Sequence, residues 1–144
     1  MREHYLRLDD TSPSVQTHLG IVQGVIDRMA GNATSCKTWC ITLVSAILVV
    51  IADKDRPNLS LLAVPPVLIF GALDVYYLAL ENGFRNSYDA FITKLHAGKL
   101  LPSDLYSMRP SGKFKAKALK SFSVWAFYGS LLVIIAGAWW LVLQ

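Results

Sequence analysis

The stretch VLIFGALDVYYLALENGFRNSYDAFITKL, Val67 to Leu95, decides how this chain is read. Its first half is apolar enough for a bilayer and its second half is a charged amphipathic helix. No proline separates them, so the pattern predicts one helix that leaves the membrane and continues into water. Asp74, Tyr77, Glu81, Arg85 and Tyr88 recur at intervals of three or four residues and share one face. A carboxylate inside an apolar stretch costs about 3 kcal/mol unless it is paired, protonated or turned toward water or protein. The stripe is therefore expected to face the interior of a helical assembly, sheltered by sister copies of the chain.

Around that stretch, 144 residues allow one small domain, and an apolar fraction of 53% is high for a soluble protein of this size. The mean hydropathy of +0.40 agrees. Three apolar segments stand out, at 38–52, 59–80 and 121–143. At about 1.5 Å per residue the second and third can cross a hydrocarbon core of roughly 30 Å. The first is short and is extended by Trp39 at the interface and by Lys37 snorkelling to the headgroups. The fold class expected is an all-α integral membrane protein with three transmembrane helices, two of them extended into the cytoplasm, packed as a homo-oligomeric bundle. It divides into an N-terminal leader and amphipathic helix (1–37) and a membrane domain (38–143) that carries a cytoplasmic helix-loop insertion at 81–120. No N-terminal signal peptide is expected, because the first apolar run lies far from Met1.

Orientation follows from the basic residues. Arg2, Arg7, Arg28 and Lys37 precede the first span, and Arg85, Lys94, Lys99, Arg109, Lys113, Lys115, Lys117 and Lys120 lie between the second and third. Lys54 and Arg56, in the connection after the first span, are offset by Asp53 and Asp55. The positive-inside rule puts the N-terminus and 81–120 in the cytoplasm and the C-terminus outside, with Trp139 and Trp140 near the far interface. The net charge of +4 is explained by cytoplasmic positive charge beside anionic lipid, without nucleic acid.

Toward the N-terminus, Val15, Leu19, Val22, Ile26, Met29 and Ala33 alternate spacings of four and three, a heptad seam that continues through Cys36 and Cys40. This predicts a long helix from about Ser14 to Ala52 whose seam packs either on the 67–95 helix or on a neighbouring subunit. Gly20, Gly24 and Gly31 suggest close packing or a pore wall, or else are glycines tolerated on a surface helix. Arg28 is placed to answer the carboxylates of the 67–95 helix. The cysteines, four apart on one face, read as packing residues, and with His4, His18 and His96 scattered no metal set emerges.

Pro65 and Pro66 either kink the second span or mark where its regular helix begins after a shallow external segment. Residues 97–112 read as a loop with one turn of helix at 103–107, and the run KFKAKALK, Lys113 to Lys120, leads straight into the third span. Lys113, Lys115, Lys117 and Lys120 are candidates for holding lipid headgroups or an anionic ligand. Enzymatic motifs are missing: no GxSxG, HExxH, Walker loop or dinucleotide fingerprint occurs, so neither catalysis nor a cofactor is expected.

The segment LDVYYLALENGFRNSYDAF resembles the LDxYYLxxExxFRxxY pattern of small bacterial inner-membrane proteins of the RipA-like octameric type. The preceding IDRMAGNATSCKTW resembles the segment opening the first span in such proteins and in anti-phage membrane effectors such as the Hailong channel and SLATT-type proteins. Asp27, Arg28, Met29, Ala30, Asn32, Lys37, Trp39, Leu73, Asp74, Tyr76, Tyr77, Leu78, Glu81, Phe84, Arg85 and Tyr88 carry the likeness. The resemblance implies a homo-oligomer in the bacterial inner membrane. For defence members it implies a depolarising channel gated by a cytoplasmic nucleotidyltransferase or its nucleotide or oligonucleotide product, with no double-stranded nucleic acid partner. On that expectation Gly24, Asp27, Arg28, Gly31 and Asn32 form the constriction and the Asp74 to Tyr88 stripe braces it. A non-conducting membrane scaffold or adaptor is the alternative.

Overall fold

The computed structural model describes residues 8–54, 57–112 and 114–142. Expectations for the leader up to residue 7, for Asp55 and Arg56, for the side chains of Lys113 and Lys115 and for Leu143 lie outside the described residues. The described chain is helical, with no strand among those residues.

The first helix, α1 (Pro13–Lys54), extends for 42 residues. It starts where Pro13 supplies a pre-set φ at the first helical position, after a turn in which Asp9 Oδ1 accepts hydrogen bonds from the Thr11 and Ser12 side chains. Those hydroxyls hold the Asp9 carboxyl below its ordinary pKa. The seam read from the sequence is the packed face. Val15, Val22, Ile26, Ala33, Cys36 and Cys40 are buried, Leu19 and Met29 are half-buried, and Val44 and Ile51 continue the row.

The partner of that face is α2 (Val64–His96), antiparallel to α1 in the same chain. At one end Val15 meets Phe91 and Leu95, and at the other Cys40 and Val44 meet Val67. Of the two partners considered for the seam, the one chosen is intramolecular. In the polar half of this hairpin each fully buried apolar side chain contributes about 1.5–3 kcal/mol by leaving water. In the apolar half the alternative solvent is lipid, so close packing rather than transfer from water favours the contact.

Pro65 and Pro66 occupy the first turn of α2, behind a 3₁₀ segment, Pro57–Ala63. They therefore initiate the helix and do not kink it. The turn expected at 103–107 forms one residue earlier and tighter, as a 3₁₀ turn at Pro102–Asp104. The lysine run does not lead straight into the third span. It forms a separate short helix, α3 (Phe114–Leu119), with Ala118 fully buried, and the chain turns at Lys120 and Ser121 before α4 (Phe122–Val142) begins. The indole nitrogen of Trp125 clamps that corner by donating to the Leu119 carbonyl at 2.8 Å.

Helix α4 buries Val124, Tyr128, Leu131 and Ile135 against the apolar end of the hairpin. Its other side exposes Phe122, Trp125, Val133, Ile134 and Trp140, and Val49, Leu61, Leu68 and Ile69 are exposed at similar levels on the remaining elements. An exterior of this kind suits acyl chains and not water. The three long helices are each long and apolar enough to cross a membrane.

Candidate functional site

Asp74 is buried to 0% exposure inside α2, and Lys37 of α1 places its ammonium 2.6 Å from Oδ2. The shelter expected from sister copies is thus supplied within one chain, and Lys37 reaches across to α2 rather than out to headgroups. Neither Asp74 oxygen has a well-aligned hydrogen bond, so the pair is held by charge and proximity. The Tyr128 hydroxyl of α4 lies within electrostatic reach but donates to the Phe70 carbonyl at 3.1 Å. Tyr77 and Tyr88, which share the stripe and whose hydroxyls could donate to its carboxylates, are half-buried and make no such bond among the described residues.

The rest of the stripe runs outward from this pair. Glu81 is half-buried and accepts from Arg85 Nε at 2.9 Å, the expected i, i+4 pairing. Arg28, by contrast, is exposed on α1, and Lys37 has taken the role expected of it. The register of two antiparallel helices, which sequence spacing does not encode, decides which cation lies opposite Asp74.

Gly24, Asp27, Arg28 and Gly31 are exposed and Asn32 is half-exposed, all turned away from the α2 seam. A Cβ at Gly20, Gly24 or Gly31 would meet nothing within 4 Å, so these glycines are not demanded by contacts inside the chain. Beyond Gly31 the same outward face carries Thr34, Thr38, Thr42 and Ser45, exposed into the apolar half of the helix. The three threonine hydroxyls donate back to the carbonyls of Ala30, Thr34 and Thr38, which leaves a smooth face of small side chains. A stripe with this composition suits a helix neighbour or a watery lumen better than lipid.

The segment 97–112 is a strap laid back along the polar half of the hairpin. Ser111 N–H donates to the Gly83 carbonyl, Asn86 Nδ2 donates to the Ser111 carbonyl, and Ser87 Oγ donates to the Arg109 carbonyl. Gly112, at φ 82°, holds a left-handed backbone conformation that strains any other residue, and a Cβ there would lie 2.9 Å from Asn86 Nδ2 and disturb its bond to Ser111. Lys94 pairs with Asp104 at 2.7 Å and holds that carboxyl below its ordinary pKa. On the α1 side His18, 2% exposed, accepts the Tyr106 N–H on Nδ1 at 2.9 Å and stacks on Phe91 at 4.4 Å. Burial pushes the His18 pKa below its ordinary value. Read as a stray histidine, it is the pin of the strap; its place in the buried row Val15, His18, Val22 was the available signal.

Among the described residues no three His, Cys, Asp or Glu side chains gather as a metal site. Cys36 and Cys40 are free and buried in the seam, and Lys117 and Lys120 are exposed beside the α3–α4 corner. Comparison of the chain with protein-family models, with curated proteins and with solved structures finds no match.

Proposed function

We propose that the protein is a homo-oligomeric channel of the bacterial inner membrane, in which α1 of each copy turns its outward face toward a shared axis. The N-terminus and the strap lie in the cytoplasm and the C-terminus outside, on the placement of the basic residues. The single observation that carries the reading is the outward face of α1, where Gly24, Asp27, Gly31, Thr34, Thr38, Thr42 and Ser45 stay exposed although the opposite face is fully packed. Gly24, Asp27, Arg28, Gly31 and Asn32 then sit at the cytoplasmic mouth, and Thr38 and Thr42 continue into the bilayer. With the resemblance to anti-phage effectors, the channel depolarises the cell when a ligand or a partner protein, such as a nucleotidyltransferase or its product, releases the closed state.

The test is ion flux in liposomes reconstituted with the full chain. Thr38→Cys and Thr42→Cys should react with a water-soluble thiol reagent and lose flux at least tenfold, while Val133→Cys on the lipid-facing side of α4 should not respond. A purified oligomer that never conducts would leave the second reading, a membrane scaffold for a cytoplasmic partner. That reading is favoured by the internal satisfaction of the seam and of Asp74, which removes the need of a single copy for sisters at those two places.

A further inference from the structure

The corner between α3 and α4 opens a groove of about 410 Å³ that runs between α2 and α4 into the apolar half of the molecule. Leu68, Gly71, Val75, Trp125, Gly129 and Leu132 line it. Gly71 and Gly129 keep its floor low: a Cβ at Gly129 would meet nothing within 4 Å, and one at Gly71 would make ordinary contact with the Tyr128 ring at 3.6 Å. The lining is almost wholly hydrocarbon. Leu119 is part of the lining, and Lys117 and Lys120, which flank it in the chain, are exposed with no ion-pair partner among the described residues.

A hydrocarbon slot lined at one end by Leu119, with exposed lysines on either side of that residue in the chain, suits a lipid that carries a negative phosphate. We propose that an anionic phospholipid occupies this groove, with one acyl chain along Gly71 and Gly129 and its phosphate against Lys117 and Lys120. Trp125, exposed beside the mouth and fixed by its bond to Leu119, is the aromatic ring expected at headgroup depth. Each lysine within reach of an anionic headgroup adds electrostatic attraction that a zwitterionic headgroup does not receive. A second copy seated here by two-fold symmetry about the membrane normal would bring its own lysines to the same mouth, like charge against like. The lipid meets both demands of the site, the apolar slot and the unpaired cations, and does so whether or not the assembly conducts.

The experiment is native mass spectrometry of the full chain in mild detergent, titrated with phosphatidylglycerol or phosphatidylcholine. The wild-type chain should retain phosphatidylglycerol at least tenfold better than phosphatidylcholine. The double reversal Lys117→Glu, Lys120→Glu should abolish that preference, and Gly129→Leu, whose Cβ meets nothing within 4 Å and whose longer side chain occupies the slot, should release both lipids while helix content stays unchanged. Equal retention of the two lipids by the wild-type chain would overturn the proposal, as would undiminished phosphatidylglycerol retention in Gly129→Leu. So would a Gly129→Leu chain that falls from oligomer to single copies where the wild-type binds no lipid, since the slot would then hold a sister helix.

Discussion

At the scale of single residues, the Lys37–Asp74 pair is the point where this chain departs most from what apolar surroundings allow. Removing one partner of a buried ion pair leaves an uncompensated charge and costs about 3–5 kcal/mol, whereas replacing both by apolar groups of similar volume is close to neutral. Lys37→Met is therefore expected to lower stability by about 3 kcal/mol, and Lys37→Met with Asp74→Leu to recover most of the loss. Reversible unfolding in mixed micelles measures the cycle, and costs that simply add would show that the two groups do not answer each other. Asp74 was legible from the sequence as a residue needing shelter, because one acid in an apolar run is a local fact. Its partner was not, because Lys37 is reached through helix register, and the flanking position of Lys37 equally suits a headgroup anchor.

At the scale of elements, the seam of α1 was legible because a repeat of three and four residues has one helical interpretation, and the row from Val15 to Cys40 is buried, or half-buried at Leu19 and Met29, as that repeat requires. The strap was not. Pro102, Pro110 and Gly112 announce a loop but carry no information about where it docks, and the docking bonds join Gly83, Asn86 and Ser87 to backbone more than twenty residues away. The strap has a built-in pH response. His18 must be neutral to accept the Tyr106 N–H, and burial keeps its docked pKa below the undocked value near 6.5. The undocked state thus takes up the proton first, so docking is at full strength above about pH 6.5 and weakens as pH falls toward the lower, docked value. Asp104, Lys94 and Arg109 line the same cavity; Asp104, paired with Lys94, ionises below this window. The protection of the Tyr106 amide, its hydrogen exchange corrected for the slower intrinsic base-catalysed rate at lower pH, should fall from about pH 7.5 to 5.5. In His18→Asn, whose side-chain oxygen can accept the same bond without titrating, that added pH dependence should vanish, and its persistence would assign the response to another group.

At the scale of the whole molecule, three apolar helices were countable from hydropathy, while the division of labour among them was not. Helices α1 and α2 build both an apolar and a polar section, and α4 serves the apolar section alone. The placement of basic charge makes a prediction for intact cells. Because Cys36 and Cys40 are buried, single cysteines at Ser103 in the strap and at Asp53 near the end of α1 report against a quiet background. Ser103→Cys should stay unlabelled by a membrane-impermeant maleimide until the cells are lysed, and Asp53→Cys should label at once; the reverse pattern would invert the molecule in its bilayer. The same charge pairing that stabilises the finished hairpin also orders its birth. Synthesis delivers Lys37 well before Asp74, so the second span meets its counterion already waiting at the entry port, and its acid need never face acyl chains alone. On that order the first two spans should insert as one unit, with the third completing a pair already seated.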